Sequence, residues 1–91
     1  MAKANKRFTV FQPEFREDLR YWVNSDRRVA LKVLELVEGV LRDPSGGVGK
    51  PEALRYALAG CWSRRITQEH RLVYREADTL IVLQCRFHYD Q

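Results

Sequence analysis

The apolar spacing changes period once along this chain, and the change falls at its one Gly/Pro-rich stretch. From Phe15 to Leu41 hydrophobic residues recur at helical intervals, and after Pro51 they alternate with polar ones. Such a division specifies helices followed by strands. With 91 residues there is room for one core, so the helical part and the sheet part must bury their apolar faces against each other. A single domain over residues 1–91 is expected, with residues 1–6 a loose polar tail.

Arg7 to Phe11, RFTVF, is rich in β-formers and reads as a short strand. Pro13 and Glu14 suit the first turn of a helix. Phe15, Leu19, Trp22 and Val23 then share one helical face. On that stripe Trp22 reads as core rather than as a base-stacking platform. Asn24 and Ser25 break the helix, and Ser25 or Asp26 can cap the next one. Val29, Val33, Leu36, Val37, Val40 and Leu41 form its apolar stripe, widened by Ala30 and Leu34. Arg28, Lys32, Glu35 and Glu38 make a solvated face, and Pro44 ends the helix. Residues 43–51, DPSGGVGKP, lack the spacing and the Lys-Ser/Thr end of a phosphate-binding loop and read as a flexible connector.

Beyond the connector, Leu54, Tyr56 and Leu58 alternate with Arg55 and Ala57, the pattern of a half-buried strand. Ala59-Gly60 signals a turn. Cys61 to Ile66 and Arg71 to Arg75 read as two further strands, and Thr79 to Tyr89 as the longest. In that last strand Ile81, Leu83, Cys85, Phe87 and Tyr89 share the face that would meet the helices. Gln84, Arg86 and His88 share the open face. The expected fold class is α+β: an N-terminal strand and a two-helix hairpin packed on one face of a small antiparallel sheet, with a basic open face.

Lys and Arg total 16 against 12 acids, a net charge of +4. Arginine predominates after Arg55, and guanidinium forks suit phosphate. An anionic partner is implied, nucleic acid before membrane, although a basic surface with no dedicated ligand accounts for the charge equally well. Two cysteines are too few for a secreted disulfide framework. MAKANKR lacks the apolar core of a secretory signal, and no apolar run reaches membrane-spanning length. A cytoplasmic protein with reduced thiols is expected. Cys61, His70, Cys85 and His88 lack the paired spacing of a zinc site, so no metal is expected.

Metal-free RNA cleavage needs a base for the 2′-hydroxyl, an acid for the departing 5′-oxygen and a cation for the phosphate between them. Glu52, His88 and Arg71 supply those types. They have ordinary readings too: a surface carboxylate paired with Arg55, an exposed histidine, an anchor for a partner's acidic tail. On composition and spacing alone those ordinary readings carry more weight.

The run KPEALRYALAGCWSRRITQEHRLVY from Lys50 to Tyr74, followed by CRFHY from Cys85 to Tyr89, closely resembles the YoeB/Txe family of bacterial toxins, within the RelE-like superfamily. The family pattern appears as Lys50-Pro51-Glu52-Ala53-Leu54, Leu58-Ala59-Gly60, Trp62 to Thr67, Glu69 to Tyr74 and Cys85 to Tyr89. Three departures stand out. Phe87 replaces a tyrosine, Cys61 replaces an aromatic residue, and Asp90-Gln91 follow Tyr89.

The resemblance implies a ribosome-dependent mRNA endoribonuclease without cofactors, paired with a YefM-like antitoxin and forming homodimers or toxin–antitoxin hetero-oligomers. It implies Glu52 as general base, Arg71 as phosphate-stabilising cation and His88 as general acid. Lys50, Arg55, Arg64 and Arg65 would lie near the RNA, and Tyr89 would help hold it. The alternatives are a non-catalytic module of the same fold that binds RNA or the antitoxin, and a superfamily relative that poisons DNA gyrase, against which the pairing of Glu52 with His88 argues. A two-residue turn at Ala77-Asp78 would set Arg71 opposite Gln84 and leave His88 roughly 13 Å further along the strand. Both then reach one phosphate only if the long Arg71 side chain leans along the sheet or the register differs.

Overall fold

The computed structural model describes residues 8–43 and 46–87. The expected tail at residues 1–6, Pro44, His88 and Tyr89 lie outside the described residues. In chain order the elements are β1 (Thr9–Phe11), α1 (Pro13–Ser25), α2 (Arg27–Arg42), β2 (Glu52–Ala53), a 3-10 turn (Tyr56–Leu58), β3 (Cys61–Arg65), β4 (Arg71–Glu76) and β5 (Leu80–Gln84). The strands form one sheet in the order β1-β5-β4-β3-β2. Strands β2 to β5 pair antiparallel, but β1 lies parallel to β5. The sheet is thus mixed rather than wholly antiparallel; residue alternation encodes faces, not strand direction.

Both helices cover the same face of the sheet. Phe15 and Trp22 of α1 and Ala30, Val33, Leu36, Val37 and Val40 of α2 pack with Ile66, Leu72, Tyr74, Leu80, Val82 and Cys85. The buried stripes are narrower than the sequence suggests, because Val23 and Leu34 are exposed. Pro13 occupies the first turn of α1, with Glu14 beside it. Asp26 stands at the N-cap of α2 without a side-chain bond to it, and Ser25 Oγ donates back to the Tyr21 carbonyl at 2.6 Å.

The segment 54–58 is not a strand. Pairing with β3 stops at Leu54, whose amide donates to the Cys61 carbonyl, and Tyr56 adopts φ +57°. The backbone closes into a 3-10 turn that folds Leu54 and Leu58 over Cys61, Val73 and Leu83. The open face of the sheet therefore has a small apolar cluster of its own.

The last strand is shorter than expected and lies in another register. Glu76 pairs with Leu80, so the turn holds three residues. Tyr74 then pairs with Val82 but Val73 with Gln84, which makes a bulge with one extra residue on β5. Leu80 and Val82 face the helices, Leu83 packs on the open side, and Cys85 returns to the helix side. Ile81 and Leu83 are therefore not the core residues that strict alternation implies. With the bulge, the Arg71 amide donates to the Phe87 carbonyl at 2.9 Å, not to a partner at Gln84.

Helix α1 fixes the segment after β5. Asp18 Oδ2 accepts from the Cys85 amide at 3.1 Å, Trp22 Nε1 donates to the Cys85 carbonyl at 2.9 Å, and the Arg86 guanidinium lies 3.6 Å from the Tyr21 ring centroid.

The connector between helices and sheet is wound around one cation. Arg64 is fully buried, because alternation along β3 turns it to the helix side. Its guanidinium donates to the Asp43 carbonyl, to the Val48 carbonyl at 3.1 Å and to Tyr74 Oη at 3.1 Å. Gly49 lies at φ +88°, where a Cβ would come within 2.9 Å of Leu36 and 3.1 Å of the Arg64 Cβ. Its carbonyl accepts from the Arg65 amide at 2.6 Å. The described part of this stretch is a packed strap rather than a flexible connector.

Two outcomes follow. Arg64→Met strands the Asp43 and Val48 carbonyls and the Tyr74 hydroxyl, and should lower stability by about 3 kcal/mol in urea unfolding. Burial, partly offset by the Cys85 amide and Arg86, raises the Asp18 carboxyl above its ordinary value of 3.8. Such a group binds its proton more tightly folded than unfolded, so stability is lost as pH rises from 3.8 through the raised value. Asp18→Asn keeps an acceptor for Cys85 without that titration. Its urea midpoint should gain on the wild type as pH rises across that window, and parallel profiles would contradict this.

Candidate active site

Adjacent residues of a strand point to opposite faces, and on β3 this separates Arg64 from Arg65. Arg65 is exposed on the open face, directly opposite Arg71 of β4. Ser63 lies on the same face, opposite Glu52 of β2. Three strands thus bring one carboxylate, one hydroxyl and two guanidinium groups together. Arg71 Nη1 donates to Glu52 Oε1 at 3.4 Å and to Ser63 Oγ at 3.2 Å. The Arg71 side chain is 22 % exposed and that of Glu52 57 %, so the arginine is held from beneath while the carboxylate sits at the rim. A long, solvent-facing ion pair of this kind contributes little to stability. Like charges opposite each other, as Arg65 and Arg71 are, disfavour the empty sheet and favour an anion above it.

The remaining sequence-derived residues are distributed as follows. Lys50 is exposed at the end of the strap, with φ +53°. Arg55 is exposed just beyond β2. Arg64 does not belong to this surface: it is in the interior, committed to the strap carbonyls and Tyr74, rather than among the exposed basic residues where the resemblance would put it. His88 and Tyr89 are outside the described residues. Phe87, to which His88 is bonded, is held by the Arg71 amide, so the backbone leading to His88 runs beside Arg71.

Sequence reasoning passed over two residues of this neighbourhood. Ser63 supports the Arg71 guanidinium; its place two residues from both Cys61 and Arg65 was the available signal. His70 was weighed only as a metal ligand. It closes the turn between β3 and β4, where Thr67 Oγ1 accepts from the Glu69 and His70 amides at 3.2 and 3.1 Å. Its ring lies edge-on to Trp22, with centroids 4.7 Å apart. Among the described residues no three His, Cys, Asp or Glu side chains converge as metal ligands do. Burial pushes the Cys85 thiol far above its ordinary range, with its sulfur against the Phe15 carbonyl. Cys61 is buried too, so neither thiol is placed as a nucleophile.

Residues 11–89 match the family model of the YoeB-like toxin of bacterial type II toxin–antitoxin systems. The chain is 46% identical to the toxin YoeB of Escherichia coli strain K12 over 81 residues, 88% of this chain and 96% of the relative. Its fold is similar to the YoeB dimer from Staphylococcus aureus, with TM-score 0.85, 38% identity, and coverage of 94% of this chain and 100% of that one. It is also similar to the YoeB–YefM complex from the same organism, with TM-score 0.80, 35% identity, and coverage of 92% and 99%. With the family pattern matched over most of its length, the chain belongs to the YoeB-like toxins of type II toxin–antitoxin systems, within the RelE-like fold.

Proposed function

We propose that this toxin is a ribosome-dependent mRNA endoribonuclease that works by general acid–base catalysis. One observation carries the reading: Glu52 lies within 3.4 Å of the Arg71 guanidinium on an exposed face that also presents Arg65. A base and a phosphate clamp are adjacent there.

The chemistry proceeds as follows. Glu52 takes the proton of the 2′-hydroxyl, and that oxygen attacks the neighbouring phosphorus. Negative charge gathers on the non-bridging oxygens, where Arg71, braced by Ser63, neutralises it. His88 gives a proton to the departing 5′-oxygen, as an imidazole can near neutral pH. The products are a 2′,3′-cyclic phosphate, later opened, and a 5′-hydroxyl. The weak Glu52–Arg71 bond yields when a phosphate replaces the carboxylate at the guanidinium. Lys50, Arg55 and Arg65 hold the RNA backbone, and Tyr89 holds the substrate beside His88. The ribosomal A site presents single-stranded mRNA in line for attack.

The same reading gives the toxin a cytoplasmic location and a YefM-like antitoxin, because the Staphylococcus aureus relative is found with YefM. A homodimer parallels the dimer of that relative.

Glu52→Gln should cut mRNA on programmed ribosomes about 100-fold or more slowly and abolish growth arrest at unchanged thermal stability. Toeprinting reads the cleavage, and end analysis reads the cyclic phosphate. Salt-sensitive RNA binding without cleavage by the wild type would leave only a non-catalytic binding module.

A further inference from the structure

The segment that precedes His88 is held by a bond of unusual type. The Phe87 amide donates to His70 Nδ1 at 2.7 Å. The imidazole is therefore the neutral tautomer with its proton on Nε2, which lies 3.8 Å from Glu69 Oε1. Phe87 itself adopts φ +64°, a conformation that a bulky L-residue rarely adopts without local support. The support is present on both sides of the residue: His70 holds its amide, and the amide of Arg71, the first residue of β4, holds its carbonyl at 2.9 Å. The His70 ring is in turn fixed by Trp22 at 4.7 Å and faces the Phe87 ring at 5.5 Å. Trp22 also donates to the Cys85 carbonyl, so one tryptophan braces both the histidine and the strand end that the histidine holds.

We infer that His70 is the positioning residue of the site: its Nδ1 holds the Phe87 amide so that the backbone stays turned at Phe87, whose carbonyl is on the Arg71 amide, and His88, the acid of the reading above, is the next residue in the chain. His70 touches no reacting atom. It acts through Phe87, and its effect on the reaction rests on the nuclease reading above. The role requires a hydrogen-bond acceptor at that position. Asparagine can replace the histidine, because its Oδ1 is attached at Cγ as Nδ1 is, whereas alanine offers no acceptor.

The test has two arms. The first needs no activity. In the wild-type protein labelled with 15N, a scalar coupling across the N–H···N bond should connect the Phe87 amide nitrogen to His70 Nδ1 and disappear in His70→Ala. The second arm is single-turnover cleavage on programmed ribosomes. His70→Ala should lose about 100-fold in rate with little change in ribosome affinity, the scale of a misplaced reacting group. His70→Asn should recover most of that loss, and urea unfolding should show both variants folded. Absence of the coupling in the wild type overturns the proposal whatever the rates. An active enzyme whose rate ignores His70→Ala, or an asparagine variant as slow as the alanine variant, overturns the positioning role. A wild-type chain that shows the coupling but cuts nothing overturns the nuclease reading, and with it the catalytic purpose of the bond.

Discussion

Much of the structure depends on one buried cation. The Arg64 guanidinium sits in the interior of a chain of only 91 residues, and a charge there is tolerable because polar atoms surround it. Those atoms come from three places in the chain: the Asp43 carbonyl after α2, the Val48 carbonyl in the strap, and the Tyr74 hydroxyl of β4. The bonds hold the glycine-rich strap onto β3, and the strap leads into Lys50 and Glu52. The position of the candidate base thus follows from an interaction on the opposite face of the sheet. Gly39 contributes by absence, since a side chain there would come within 3.3 Å of the guanidinium.

The two faces of the sheet divide the work. The helix side carries the main core. The other side combines a small apolar patch under the 3-10 turn with the polar group of Glu52, Ser63, Arg65 and Arg71. Helix α1 reaches past the edge of the core to tie down the strand end through Asp18, Tyr21 and Trp22. Core packing and site geometry are therefore coupled through the same helix, and Trp22 belongs to both.

Several of these features were legible in the sequence. The change of period located the helices and the sheet, and the stripes of α1 and α2 named most of the core. The pairing of Glu52 with Arg71 was reachable only through the family pattern, since the residues lie nineteen positions apart with no local signal. What could not be read has physical reasons. Alternation makes Arg64 and Arg65 face opposite ways, yet two adjacent arginines look alike until one face is shown to be covered. Tyr56 continues an alternating pattern, but a positive φ ends the strand there. The bulge in β5 flips the parity of every later residue, so strict alternation misassigned Ile81 and Leu83. The parallel course of β1 depends on a strand some seventy residues away, which no window of sequence can see.

The sheet order has a kinetic side. β5 is an interior strand, flanked by β1 and β4, although it is the last of the described strands in chain order. Until residues 80–84 exist, β1 has no neighbour and the helices lack Leu80 and Val82 beneath them. A nascent chain can close the β3–β4 hairpin early through local contacts, but the layer that unites beginning and end forms by long-range pairing, the slow kind. Completion of this layer is thereby deferred until β5 has been made, and a product terminated before it would expose apolar helix faces to chaperones and proteases.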